Sequence, residues 1–298
     1  LCEAEAVAPE SQAGEIDAAI GRGEAWLLKR LGQLRRATPD ALYNVWGHAY
    51  SIQALVRLHE RASADSPRRA QLIELARGQL EMLQRYAFIA GGWSYYDFGA
   101  GTQRPSDSPM SFCTATVLIA IHEAQEQLGV EFPQREIDKA IASLHRQQKP
   151  DFTYAYGEYL RMVPMHLVNR PGGSLGRSQV CNLALRLFGD ERVTDDVIKA
   201  WLNRLFARNG WLSIGRKRPV PHESHFYVAG YFYYYGHFYA AMCIEQLPDD
   251  RRPYFQEHLA NILLPLQEKD GSWWDFPFYN YHQQYGTAMA VCSLVRCL

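Results

Sequence analysis

The chain has 298 residues, of which 47% are hydrophobic, with 31 basic and 32 acidic side chains. A charge balance this close to zero argues against nucleic acid or an anionic membrane surface as a main partner. No apolar run reaches the ~20 residues a membrane span needs, while the 13% aromatic share, including 18 Tyr, predicts a molecule that presents rings.

The chain opens on Leu1-Cys2, and residues 3–14 are acidic, rich in Ala and aperiodic. Residues 1–14 are expected to be an extended N-terminal segment. It is either the remnant of an export signal, which would put the protein outside the cytoplasm, or a boundary of the chain. A single domain is expected over 15–298. Amphipathic segments follow at 15–34, 70–89, 136–146, 194–208 and 254–267, each with apolar residues at helical spacing. Each is followed by a second run, and the five second runs align without gaps: "WGHAYSIQAL" (46–55), "FCTATVLIAI" (112–121), "GRSQVCNLAL" (176–185), "YGHFYAAMCI" (235–244) and "YGTAMAVCSL" (285–294). The first place is aromatic in four of the five, and Gly47, Gly236 and Gly286 share the second. The third place is small or polar throughout: His48, Thr114, Ser178, His237 and Thr287. A repeat of this kind marks an array of similar supersecondary units. "YFYYYGHFY" has strand propensity, but its register with the other runs predicts helix.

The connection within each pair is long and aromatic, as in 90–107, 147–175, 209–221 and 269–280, while those between pairs, such as "ERASADSPRRA" and "EQLPDDRR", are short and polar. In any array of such pairs the second helices run parallel, so the long connections collect at one rim, where function tends to sit. The turns "AGGWSYYD", "RNGWLSI" and "KDGSWWD" carry Gly, which ends helices in the left-handed conformation, and a Trp able to fold back over the pair.

Gln267, Asp270, Gly271, Ser272 and Trp273 form a Gln-x-x-Asp-Gly-Ser-Trp turn that resembles the QW signature of the terpenoid cyclase and protein prenyltransferase superfamily. Gly92-Trp93-Ser94 and Gly210-Trp211 are degenerate versions. The resemblance covers residues 15–298 as architecture. It implies an all-α fold, an α/α toroid of about five to six helix hairpins with parallel inner helices and an axial cavity. An extra short helix within 158–168 would complete it. Polysaccharide lyases and hydrolases use similar toroids, so the fold alone selects no chemistry. The family's catalytic signatures are absent. There is no Asp-x-Asp-Asp acid motif, no Asp-x-Cys zinc spacing and no Gly-Cys-Gly-Glu-Gln thioester. Asp195-Asp196 and Asp249-Asp250 fall in or beside outer helices.

Candidate chemistry gathers near the expected rim. His222, Glu223 and His225 fall where the fourth inner helix is expected to begin, and the two histidines would share a helix face. They read as acid–base groups, as a metal pair completed by His282 or Asp107, or as plain loop residues. Asp107 is placed to cap the second inner helix, with Asn280 as its counterpart on the fifth, or to act as an acid or base at the mouth. His48 and His237 would join Thr114, Ser178 and Thr287 in a polar ring, lining a cavity or bonded among themselves. Tyr231, Tyr233, Tyr234, Tyr235, Phe238 and Tyr239 crowd the fourth inner helix, either to offer π faces to a ligand or to fill the space between layers. Arg177 and Arg161 are the cations nearest the mouth, while "NRPGGSLGRS" lacks the Lys-Ser/Thr pair of a phosphate loop and reads as flexible.

The acid–base candidates are therefore Asp107, His222, Glu223, His225 and His237. The ligand contacts are His48, Trp93, Arg177, Tyr231, Tyr235, Trp273, Tyr281 and His282. No cofactor is expected, and no zinc-type Cys-x-x-Cys spacing is present; Cys113, Cys181, Cys243 and Cys292 are expected to be free buried thiols, and Cys292 and Cys297, on different helix faces, not to pair. The resemblance implies a small hydrophobic or isoprenoid-type ligand in an aromatic-lined cavity. A glycan-binding or glycan-degrading toroid and a non-catalytic scaffold for a protein partner are the alternatives.

Overall fold

The structure is a computed structural model that describes residues 1–33, 44–95, 108–220, 222–277 and 282–298. No strand forms among the described residues; Gln148 and Tyr154 make an isolated antiparallel bridge. The helices are α1 (Cys2–Glu5), α2 (Ala13–Leu31), α3 (Asn44–Arg61), α4 (Pro67–Tyr86), α5 (Ser111–Leu128), α6 (Gln134–Gln147), α7 (Leu175–Leu187), α8 (Asp195–Ala207), α9 (Asn209–Ser213), α10 (Tyr233–Glu245), α11 (Arg252–Leu263) and α12 (His282–Val295). All ten runs predicted to be helical are helical. The N-terminal segment differs from the extended form expected: α1 and a 3-10 turn at Glu10–Gln12 occupy it, and α2 starts at Ala13. Glu3 and Glu5 hold it down by ion pairs to Arg57 and Arg61 of α3, at 3.2 and 2.8 Å. The short helix expected within 158–168 is replaced by 3-10 turns at Glu158–Leu160 and Leu167–Asn169.

The chain divides into two compact units, residues 1–146 and residues 147–298. In the first, α3 packs on α4 and α5; in the second, α10 packs on α7 and α12, with α8 and α11 alongside. Burial separates the two kinds of helix. α5 is buried on every side from Ser111 to Ile121, α7 from Leu175 to Leu185, and α10 from Tyr233 to Ile244. By contrast α4 buries one stripe, Leu72, Ala76, Leu80 and Leu83, and α8 and α11 bury stripes of the same spacing. A one-sided stripe is an outer helix; burial all round is an inner one. This overrides the strand propensity of the Tyr-rich run, because ring packing within an enclosed helix outweighs a local preference of about 1 kcal/mol. Cys113, Cys181 and Cys243 lie buried in these inner helices, and all six cysteines are free thiols.

The repeat register has a physical meaning. A side chain on Gly236 would meet the Gly176 Cα at 2.7 Å, so α7 and α10 cross backbone against backbone. A side chain on Gly286 would strike the Trp273 carbonyl oxygen at 2.6 Å. In two repeats the third register place clamps the turn of its own repeat. The Trp93 amide donates to Thr114 Oγ1 at 3.0 Å, and that hydroxyl donates back to the Trp93 carbonyl at 3.3 Å. Trp273 and Thr287 repeat the arrangement at 3.0 and 3.2 Å. The indole N–H of each Trp reaches the last turn of the outer helix, Trp93 to the Leu83 carbonyl at 2.7 Å and Trp273 to that of Leu263 at 2.9 Å. Gly91 and Gly271, two residues before each Trp, take φ of +95° and +84°.

A third copy of this turn carries no Gly and no Trp. In 149–154, Phe152 takes φ +60° and Tyr154 stands where the Trp would. The Lys149 amide donates to the Thr153 carbonyl at 2.7 Å, matching Phe88 to Gly92 at 3.0 Å and Glu268 to Ser272 at 2.8 Å. Ser174 Oγ exchanges bonds with the Tyr154 backbone in place of the Thr. The Gly210-Trp211 match, in contrast, forms the short helix α9, and Trp211 stays 39% exposed.

Candidate functional site

The sequence candidates separate once their contacts are known. Asp107 and Tyr281 lie outside the described residues, as does Asn280. His222, Glu223 and His225 are not on a helix: α10 starts only at Tyr233, after a 3-10 turn at Gly230–Phe232, so the shared-face geometry expected of the two histidines does not arise. His222 sits at φ +63°, with Nδ1 2.5 Å from the Tyr227 carbonyl oxygen. Glu223 pairs with Arg218 at 3.3 Å, and His225 packs against Trp211 and Phe226. Among the described residues no group of three His, Cys, Asp or Glu side chains is placed to hold a metal ion.

The polar register residues bond to neighbouring turns and helices rather than to one another: Thr114, Thr287 and His237 within their own repeats, His48 to the first helix of the next. His48 Nδ1 lies 2.7 Å from Gln79 Oε1 of α4. His237, fully buried, donates from Nδ1 to the Tyr233 carbonyl at 2.7 Å and sets Nε2 3.1 Å from Asn209 Oδ1. Burial pushes its imidazole down to about 4. Trp93 and Trp273 are the turn clamps described above, 0% and 5% exposed. Arg177, expected near an anionic ligand, is buried and directed at backbone carbonyls instead: Gly173 at 3.0 Å, Val168 at 2.6 Å and Tyr154 at 3.1 Å. Its guanidinium also lies over the Tyr156 ring. These bonds pin the 154–173 connection to α7. Tyr235 is enclosed in α10 between Phe232 and Tyr239.

Two of the predicted ligand contacts, Tyr231 and His282, do come together, and His282 faces a residue the sequence reading overlooked. Asp275 is 0% exposed, and its Oδ1 lies 3.6 Å from His282 Nδ1. That is within ion-pair range and beyond a hydrogen bond. Its Oδ2 accepts the Tyr234 amide at 3.2 Å, so the carboxylate caps the first turn of α10 from another segment. Its backbone carbonyl accepts the Lys217 amide at 2.5 Å. Burial raises the Asp275 carboxyl, with His282 and the Tyr234 N–H opposing that rise. Rings enclose the imidazole: Phe276 at 5.1 Å, Tyr285 at 6.0 Å and Tyr231 at 6.1 Å, with Tyr231 edge-on to Phe276 at 5.2 Å. Next to them the Tyr234 hydroxyl is buried, and burial pushes it well above the usual phenol range. The Arg216 guanidinium lies 5.5 Å from the Tyr233 ring.

Chemically this is one carboxyl beside one imidazole in a low-dielectric, ring-walled setting. The signal for Asp275 was a lone carboxylate inside "GSWWDFPF", at the place where the equivalent turn carries Tyr95. No protein-family model matches the chain, and no curated protein matches it.

Proposed function

We propose that the helix hairpins build an α/α toroid of the terpenoid cyclase and prenyltransferase kind, and that the protein binds a small hydrophobic, isoprenoid-type ligand. The observation that carries this reading is the ring-walled Asp275–His282 pair. Tyr231, Phe276 and Tyr285 offer π faces and edges suited to an unsaturated hydrocarbon. The carboxyl and imidazole supply a polar point for a ligand headgroup and a proton to give or take. A ligand with one polar end and an apolar body matches that distribution better than a glycan, whose hydroxyls would leave such walls unpaired.

The test is a thermal-shift panel of a prenyl diphosphate, a prenyl alcohol, a fatty acid and an oligosaccharide, run on the intact chain and on His282→Gln. The expected result is a rise in Tm with the isoprenoids that weakens in the variant. A rise with the oligosaccharide alone would replace this reading with the glycan one. A second reading, the scaffold without a ligand, is favoured by the complete burial of Tyr233, Tyr234, Tyr235 and Tyr239 inside the second unit. Flat melting curves with every compound would select it.

A further inference from the structure

The connection between α6 and α7 carries a feature that the ligand site does not use. Met162, Val163, Pro164 and Met165 follow one another at the tip of the 158–170 loop, with Met162 80% and Met165 68% exposed. Tyr159 and Val163 are about half exposed beside them. Soluble proteins rarely leave consecutive large apolar side chains in water without a partner for them.

The loop is rigidly built. Asn169, fully buried, donates from Nδ2 to the Leu160 and Val163 carbonyls, both at 3.0 Å, and accepts the Tyr156 amide at 2.8 Å. Arg170 Nε donates to the Met165 carbonyl at 3.1 Å, and Lys149 Nζ to that of Pro164 at 3.2 Å. The carbonyls of Leu160, Val163, Pro164 and Met165 are therefore engaged from within the protein, while the side chains of Met162 and Met165 stay exposed. A segment that enters a medium without water needs its carbonyls paired, since water cannot satisfy them there. Two of the donors that close the tip, Lys149 and Arg170, are cations fixed at its base. Arg161 adds a third, paired with Glu158 at 3.4 Å. The neighbouring 220–227 loop extends the surface with Val220 and Tyr227, whose ring lies 5.6 Å from His166.

We propose that this loop is an interfacial membrane anchor: Met162 to Met165 enter the acyl boundary of a bilayer, and Lys149, Arg161 and Arg170 meet anionic headgroup phosphates. A convex apolar tip with cations at its base matches the depth profile of a bilayer surface, apolar inside and anionic at the rim. A protein groove would require no such ring of charge. The near-zero net charge of the whole chain removes long-range attraction, so attachment rests on insertion reinforced by local charge. The proposal does not depend on which ligand the Asp275–His282 site takes.

The experiment is co-sedimentation of the full chain with vesicles of phosphatidylcholine alone or mixed with phosphatidylglycerol. Met162→Asp/Met165→Asp serves as the variant, and its fold is checked by circular dichroism and Tm; both side chains are exposed, so the fold should hold. The intact protein should sediment with the mixed vesicles, and the double variant should lose at least about tenfold in partitioning. Val163→Trp should show a blue-shifted emission on adding mixed vesicles and none without them. Failure of the intact protein to sediment, or unchanged partitioning of the folded double variant, overturns the proposal and leaves the tip to a protein interface. Equal binding to phosphatidylcholine alone overturns the role given to the cations.

Discussion

The turns at Trp93 and Trp273 share one hydrogen-bond pattern and differ in their surroundings. Each has a left-handed Gly two residues before the Trp, an indole bond to the outer helix ten residues back, and a Thr that holds both backbone groups of the Trp. Around Trp93 the pattern is enclosed: Thr114 is fully buried and the Trp93 ring packs against Phe132. Around Trp273 it is open: Thr287 is half-buried and Gly271 has room beside it. The motif specifies a conformation, and the environment sets how much stability depends on it.

The glycines give the largest contrast. A Cβ on Gly91 would lie 2.2 Å from the Lys139 carbonyl oxygen of α6, a backbone atom that cannot turn aside. Gly91→Ala therefore combines left-handed strain with a collision, and chemical denaturation should show a loss of about 3 kcal/mol or more. At Gly271 the nearest atom to such a Cβ is Gln267 Nε2 at 3.9 Å, so only the backbone term remains. Gly271→Ala should cost about 1–2 kcal/mol. Equal losses at the two sites would mean that the enclosure around Trp93 contributes nothing.

His237 occupies the same register place as the two threonines, but its turn is α9 and its partners are Tyr233 and Asn209. Its imidazole, at 6.5 in the unfolded chain, is pushed down to about 4 by burial, with the Arg216 cation acting in the same direction. The unfolded state thus binds the proton more readily between those values. The expected contribution of this group to stability is therefore full above pH 6.5 and lost as pH falls toward about 4. That loss is on the order of 3 kcal/mol. His237→Gln should flatten the pH dependence of unfolding in this window. A slope unchanged by the substitution would assign the titration to other groups.

The threonines come next. Thr114→Val leaves the buried Trp93 amide without its acceptor, an expected cost of about 1–3 kcal/mol. Thr287→Val does the same at a half-buried site where water can replace the hydroxyl, so about 0.5–1 kcal/mol is expected. The two variants, measured by urea unfolding, sharpen the comparison because the side-chain change is the same.

Much of this was legible in the sequence. All ten helical runs followed from periodicity and register. The expected inner helices α5, α7 and α10 are enclosed all round, whereas α12, expected to be a fifth, buries only the stripe His282, Gly286, Met289, Ala290 and Ser293. The Gly-Trp turns at 92–93 and 271–273 were visible because glycine advertises a left-handed backbone. Gly210-Trp211 misled for the same reason: the dipeptide is present, but no residue before it takes a positive φ, and the chain stays helical. His222 to His225 was misplaced because a helix start was inferred from the array, whereas the chain takes a loop with Lys217, His222 and Tyr227 all at positive φ. Asp275 was missed because it lies outside any helix, seven positions before its partner, so no face of a single element places the two together. Its partner His282 was found by its place in the array.

The third turn, whose sequence hid it, supplies the smallest and cleanest test. Phe152 adopts φ +60° where the other two turns have glycine. A left-handed conformation costs a side-chain-bearing residue about 1–2 kcal/mol, and glycine gives back about 0.5–1 kcal/mol of that through its freer unfolded state. Phe152→Gly alone would mix that gain with loss of the ring. Phe152→Ala loses the ring and keeps the strain, so the difference between the two variants isolates the backbone. Phe152→Gly should be the more stable of the pair by about 0.5–1 kcal/mol in urea unfolding. The opposite order would mean that residues 149–154 do not share the backbone of the Trp turns, and that Tyr154 is held by its bonds to Gln148, Ser174, Arg177 and Asn182 instead.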